Sequence, residues 1–170
     1  MDDMTRLAER ARAGDVEAFG ALYTLVYQDM FRYAYYMLGQ REDAEDAVMD
    51  VVGEAYAQIR HLRSAEAFRG WIFRILSANI KRRRKGYLSK DAELTEAMAE
   101  TVAAPNSDFS ANADLREALT SLPEQDRTII LLHIFGGYTS AEIGRMLHMK
   151  DATVRSREKR ALEKLRKTMV

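Results

Sequence analysis

Six residues near the C-terminus have the types and spacing to read a nucleic acid. Thr153, Arg155, Ser156, Arg157, Lys159 and Arg160 crowd the first two turns of a helix that opens at Asp151 or Ala152. Val154, Ala161, Leu162, Leu165 and Met169 recur along one stripe of that helix, leaving the six on other faces. A guanidinium offers paired donors that match guanine O6 and N7 or a phosphate, and an ammonium meets phosphate as a point charge. A second cationic set runs from Arg69 to Lys90, where eight basic residues meet no acid. On a helical wheel Arg74, Ser77, Lys81, Arg84 and Lys85 fall on one polar face, a layout suited to gripping a phosphate backbone. The third set is acidic. From Arg41 to Glu54 six acids face one arginine, and Glu42, Asp46, Met49, Asp50 and Gly53 lie opposite the apolar stripe Ala44, Val48, Val51, Ala55 and Ile59. Met49 at the centre of that acidic face gives an adaptable contact for a basic partner.

The formal net charge is +0, so it is the segregation of charge that points to two kinds of partner, one polyanionic and one basic. Catalysis has no footing in the residues. His61, His133 and His148 are scattered and paired with no nucleophile, no glycine-rich phosphate loop is present, and no acid cluster has metal-ligand spacing. With zero cysteines the chain has no disulfide or thiolate site, and neither a cofactor nor a metal is expected. No apolar run approaches the roughly 20 residues of a membrane span, and Met1 to Arg12 has no apolar signal core. These features lead to an expectation of a cytoplasmic protein without direct membrane insertion.

The elements that must carry these sets are helices. Met1 to Ala13 reads as a short charged helix, and Asp15 after Gly14 caps the next. Val16, Phe19, Leu22, Tyr23, Val26, Met30, Phe31, Ala34 and Leu38 keep helical spacing up to Gly39, with Tyr33, Tyr35 and Tyr36 mostly in core or rim. Arg41 to Arg60 forms the acidic-faced helix, and His61 to Gly70 a loop or turn. A basic helix then runs from Glu66 or Phe68 to Lys85, with Phe68, Trp71, Ile72, Ile75, Leu76 and Asn79 inward. Residues 87–113 are acidic, contain Pro105-Asn106-Ser107-Asp108 and read as a linker, with a helical piece near Ala92 to Thr101. Leu122-Pro123 starts a nearly all-apolar helix, with Ser121 and Glu124 at capping-box spacing and Gly136-Gly137 as its stop. Thr139 and Glu142 make a second capping box, and two short helices across a tight turn at His148 read as a helix-turn-helix. The expected fold is all-α, with two small helical domains at residues 1–86 and 114–170 joined by the linker.

The ordered set of motifs resembles the extracytoplasmic-function sigma factors of the bacterial sigma-70 family. It comprises Arg41 to Val48, Phe68 to Ile75, the basic run Lys81 to Lys85, Leu122 to Glu124, and Thr139 to Leu147 followed by Thr153 to Arg157. The resemblance implies sigma region 2 and sigma region 4, binding to core RNA polymerase, and recognition of promoter DNA. By it, Asp43, Asp46, Met49 and Asp50 would dock on the polymerase. Arg63, Ser64, Phe68, Arg74, Ser77, Lys81, Arg82 and Arg84 would engage and help melt the −10 element. Thr153, Arg155, Ser156, Arg157, Lys159 and Arg160 would read the −35 element. The linker would pass through the RNA-exit and active-site region of the polymerase, and an anti-sigma factor would hold the protein inactive. In the turn where the family usually has glycine stands His148, which can tolerate a positive φ at some cost. A stand-alone transcription regulator with a similar C-terminal helix-turn-helix would leave the acidic face and the Arg69 to Lys90 helix without a task.

Overall fold

The computed structural model describes residues 2–89 and 113–169. The expected linker, apart from its first three residues and Ala113, lies outside the described residues, as does the helical piece near Ala92 to Thr101. Eight α-helices are present among the described residues, and no strand. The N-terminal unit contains α1 (Asp3–Arg12), α2 (Val16–Leu38), α3 (Arg41–Gln58) and α4 (Phe68–Ser89), with 3-10 turns at Ile59–His61 and Ala65–Ala67 before α4. The C-terminal unit contains α5 (Ala113–Thr120), α6 (Glu124–Ile134), α7 (Ser140–Leu147) and α8 (Asp151–Met169).

Local chemistry sets most boundaries. Asp2 accepts from the Thr5 amide at 2.7 Å and Asp15 from the Ala18 amide at 3.1 Å, capping α1 and α2. At the far end of α2, Gly39 takes φ 83° and returns its N–H to the Tyr35 carbonyl, a left-handed stop that costs glycine nothing. The Thr139/Glu142 capping box at the start of α7 is fully formed, with bonds of 3.2 and 3.0 Å. His148 closes α7 at φ 58°. Ser121 behaves differently from the expected cap. Its hydroxyl donates back to the Ala118 carbonyl at 2.6 Å, and Pro123 is the N-cap of α6 with no side-chain bond.

Burial builds the core of the N-terminal unit from α2, α3 and α4. Ala44, Val48, Val51 and Ala55 of α3 are fully buried, as their stripe predicts, against Leu22, Val26 and Met30 of α2 and Ile72, Phe73 and Leu76 of α4. In the C-terminal unit Ile129, Ile130, Leu131 and Leu132 of α6 form the centre, covered by Ile143 of α7 and Val154, Ala161 and Leu165 of α8. Leu162 departs from its expected stripe and is exposed, and so is Ile134 at the end of α6.

The two units meet along α2. Tyr33, Tyr35 and Tyr36 are all buried because each finds a different cover. Tyr33 enters the N-terminal core and donates to the Ser77 hydroxyl at 3.3 Å, Tyr35 accepts from Arg116 of α5 at 3.2 Å, and Tyr36 stacks on Phe135 with centroids 6.0 Å apart. Burial pushes the Tyr33 phenol up to about 12. The C-terminal carbonyls of α2 carry the negative end of the helix dipole, and cations from both units gather there. The Met37 carbonyl accepts from Arg84 of α4 and, at 3.4 Å, from the buried Arg127 of α6.

Candidate nucleic-acid interface

On α8 the apolar stripe turns inward and fixes what is left outside. Val154 is fully buried, so Thr153, Arg155, Ser156, Lys159 and Arg160 stand exposed around the first turns. Gly144 lets the helix-turn-helix close tightly, since a Cβ there would lie 2.5 Å from the Met149 carbonyl. Arg155 pairs with Asp151 at 3.2 Å on the exposed surface, a contact that solvent screens and that a phosphate can replace. Arg157 is set apart from the other five. It is half-buried and bonded to Asp126 of α6 at 3.1 Å, so it ties the recognition helix to the domain centre.

The cations of α4 divide more sharply. Arg74, Lys81 and Arg82 are exposed, and Arg63 and Ser64 lie exposed in the turn before the helix. Arg83 reaches Asn79 Oδ1 at 2.7 Å and the Asp50 carboxylate of α3. Arg84 serves the Met37 carbonyl and lies 3.0 Å from Glu124 of α6. Asn79 points inward at 8% exposure, as the wheel predicts, and positions Arg83. Two of the expected −10 residues have partners inside the N-terminal unit. Phe68 is 1% exposed and is a core residue, its ring tilted against Trp71 at 6.1 Å, because the aromatic at the helix start closes the bottom of the core. Ser77 is half-buried and accepts from Tyr33.

The acidic face of α3 is open. Met49 is 67% exposed, the largest value among the exposed large apolar residues, with Asp50 beside it and Asp46 and Asp43 one and two turns back toward the helix start. Asp50 is shared with Arg83, which links the acidic face to the basic helix.

Sequence reasoning gave Arg69 only a place in the basic run and singled out neither Arg127 nor Tyr138, yet all three are structurally prominent. Arg69 binds Asp29 of α2 at 2.7 Å and the Phe135 carbonyl of the C-terminal unit. Tyr138, 3% exposed, donates its hydroxyl to the Gly70 carbonyl. Burial pushes the Tyr138 phenol up and, for Arg127, pushes the guanidinium down, with Arg84 beside it acting the same way. An arginine just ahead of the apolar run of α6 was the only sequence signal for the second of these, and a tyrosine after two glycines for the third.

Two family profiles match this chain, Sigma-70 region 2 over residues 22–87 and Sigma-70, region 4 over residues 112–165. The ECF RNA polymerase sigma factor SigE of Mycolicibacterium smegmatis is 31% identical over 176 residues, 97% of this chain and 68% of that protein. This chain belongs to the ECF RNA polymerase sigma factors. Its role is therefore in promoter-specific transcription initiation, as a member of a family of polymerase specificity subunits. The RNA polymerase sigma factor SigV of Bacillus subtilis (strain 168) is 29% identical over 142 residues, 82% of this chain and 83% of its own. The fold is shared with the sigma factor RpoE solved in complex with the anti-sigma factor NepR from Bartonella quintana, at a TM-score of 0.72, 21% identity and coverage of 91% and 98%. No helix among the described residues is long and apolar enough to cross a membrane.

Proposed function

We propose that this sigma factor reads the −35 element with Thr153, Arg155, Ser156, Lys159 and Arg160, while Arg157 holds the recognition helix against Asp126. Arg63, Ser64, Arg74, Lys81 and Arg82 engage the −10 region, with Arg84 joining them when its tie to Met37 is released. Phosphate contacts supply position and salt-dependent affinity, and a few side chains supply sequence. Melting follows because capture of an unstacked base offsets part of an unstacking cost of a few kcal/mol. Asp43, Asp46, Met49 and Asp50 dock on a basic surface of core RNA polymerase. An anti-sigma factor is the proposed regulator, since the RpoE that shares this fold is held by one. The protein works in the cytoplasm, where the polymerase is.

The observation that carries this reading is the exposure pattern of α8, where Val154, Ala161 and Leu165 are buried and five reading side chains at its start are free to face a groove. The test is promoter competition by the holoenzyme on templates with single-base changes. Lys159→Ala or Arg155→Ala is expected to lose about 1 to 3 kcal/mol of discrimination at one or two −35 positions. An unchanged preference for both would remove α8 from the −35 element.

A further inference from the structure

Helices α4 and α7 line opposite sides of a cleft of about 540 Å³. Its charged lining is Arg74 and Lys81 from α4, with Glu142, Arg145 and the capping His148 from α7. Spacing puts these side chains there. Arg74, Ala78 and Lys81 recur at i, i+4 and i+7 along one side of α4, while Ile72, Phe73, Leu76 and Ile80 take the buried side. On α7, Ile143 is fully buried, which leaves Glu142, Arg145 and Met146 toward the cleft. The charge inside is unbalanced. Other arginines have found ties, Arg69 to Asp29, Arg83 to Asp50 and Arg84 to Glu124. Arg74, Lys81 and Arg145 are exposed and hold no hydrogen bond or ion pair among the described residues. The one carboxylate in the lining, Glu142, already accepts from the Thr139 amide at 3.0 Å.

We infer that this cleft is a binding site for a nucleoside polyphosphate. A concave surface carrying one sign of charge concentrates counter-ions, and three cations against one committed carboxylate call for an anion of more than one charge. Arg74 and Lys81 stand roughly 10 Å apart along their helix at ~1.5 Å per residue, so a chain of phosphates spans them better than a single one. The remaining wall is apolar. Ala78, Met146 and Leu147 offer a flat base a surface to rest on, and a methionine adapts its shape to such a ring. The two guanidinium groups come from different units, Arg74 from the N-terminal and Arg145 from the C-terminal, so both units hold the ligand. Small-molecule sites commonly enclose roughly 300 to 1,000 Å³ and favour the junction of two domains, and this cleft meets both conditions. Arg74 and Lys81 also belong to the −10 set, whereas Ala78 and Arg145 belong to neither DNA-reading set. Variants at those two positions therefore test the site separately from the −10 assignment.

The test is isothermal titration calorimetry of the full-length protein with ATP, with GTP, and with sodium tripolyphosphate as the nucleoside-free probe. At least one nucleotide is expected to bind one to one, about tenfold tighter than tripolyphosphate, because the apolar wall adds burial of the base to the same phosphate contacts. Arg145→Gln removes a charge-assisted donor and should weaken that nucleotide about tenfold or more. Ala78→Glu, at an exposed position of the other unit, sets a carboxylate in the cleft and should weaken it comparably. Arg60→Gln removes an exposed cation that does not line the cleft and should leave the affinity unchanged. Far-UV circular dichroism checks the helicity of each variant. Binding of neither nucleotide by the wild type would overturn the site. Tripolyphosphate bound as tightly as the nucleotides would overturn the nucleoside assignment. Equal losses for Arg60→Gln and Arg145→Gln would reduce the binding to diffuse attraction and overturn the site, and a loss at only one of Arg145 and Ala78 would overturn the claim that both units hold the ligand.

Discussion

The two cationic helices carry similar residues and use them differently. On α8 the basic residues at the start stand free of the domain except Arg157, which is bonded to Asp126. On α4 the arginines divide between surface and structure, with Arg74 and Arg82 exposed while Arg83 and Arg84 are committed to Asp50, Asn79 and Met37. A run of positive charge in a sequence is thus not a uniform surface. A guanidinium that can reach a carbonyl at a helix C-terminus or a neighbouring carboxylate becomes a tie, and only those facing open solvent remain available to phosphate.

The largest effect that separates the two uses is expected at the base of α4. Phe68→Ala removes a fully enclosed ring, so it should cost about 3 to 5 kcal/mol of stability in a denaturant titration. A stable Phe68→Ala protein with weakened −10 binding would return Phe68 to the DNA surface. Next in size is the turn between the units. Gly136→Ala places a methyl group against the Leu132 carbonyl and the Tyr138 ring, and overpacking of this kind should cost about 1 to 3 kcal/mol, read by thermal melting. On α7, Thr139→Ala deletes the cap and should cost about 1 kcal/mol while leaving the −10 interaction alone. The smallest effect is the most diagnostic for charge use. Lys81→Ala should lower the slope of log affinity against log salt for promoter DNA by about 1, whereas Arg83→Ala should leave that slope nearly unchanged and lower stability instead. Equal slopes for the two variants would erase the distinction.

Acidity offers a further handle on the seam. Burial raises the Tyr33 phenol to about 12 from 10.0 and raises the Tyr138 phenol as well. A group whose folded value is raised contributes its full stability below the unfolded value and loses it as pH climbs through the folded one. Stability should therefore hold up to about pH 10 and fall between there and about 12. Tyr138→Phe should soften that alkaline fall, and an alkaline profile identical to wild type would show that Tyr138 does not titrate at the seam.

Local signals made much of the fold legible in the residues. Asp15, Gly39 and the Thr139/Glu142 box act within a few positions of themselves, and the period of Ala44, Val48, Val51 and Ala55 needs only a helix and one apolar side. Asn79 was readable as inward for the same reason, and His148 as the left-handed turn residue. The failures have the opposite character. Ser121 has cap spacing but finishes the preceding helix, because its hydroxyl found the Ala118 carbonyl first. Phe68 lies inward as its stripe predicts, which the −10 role implied by the resemblance overlooked, and Ser77, on the expected polar face, meets Tyr33 through tertiary packing. Contacts such as Tyr138 to Gly70 and Arg127 to Met37 join positions 68 and 90 residues apart, a separation no periodicity encodes.

The most direct measurement is to combine the purified factor with core RNA polymerase and map transcript 5′ ends across genomic DNA. Starts focused downstream of a shared pair of sequence elements, and dispersed when the first turns of α8 are stripped by Arg155→Ala and Lys159→Ala together, are the predicted result. Core polymerase that initiates no differently with and without this chain would contradict the account.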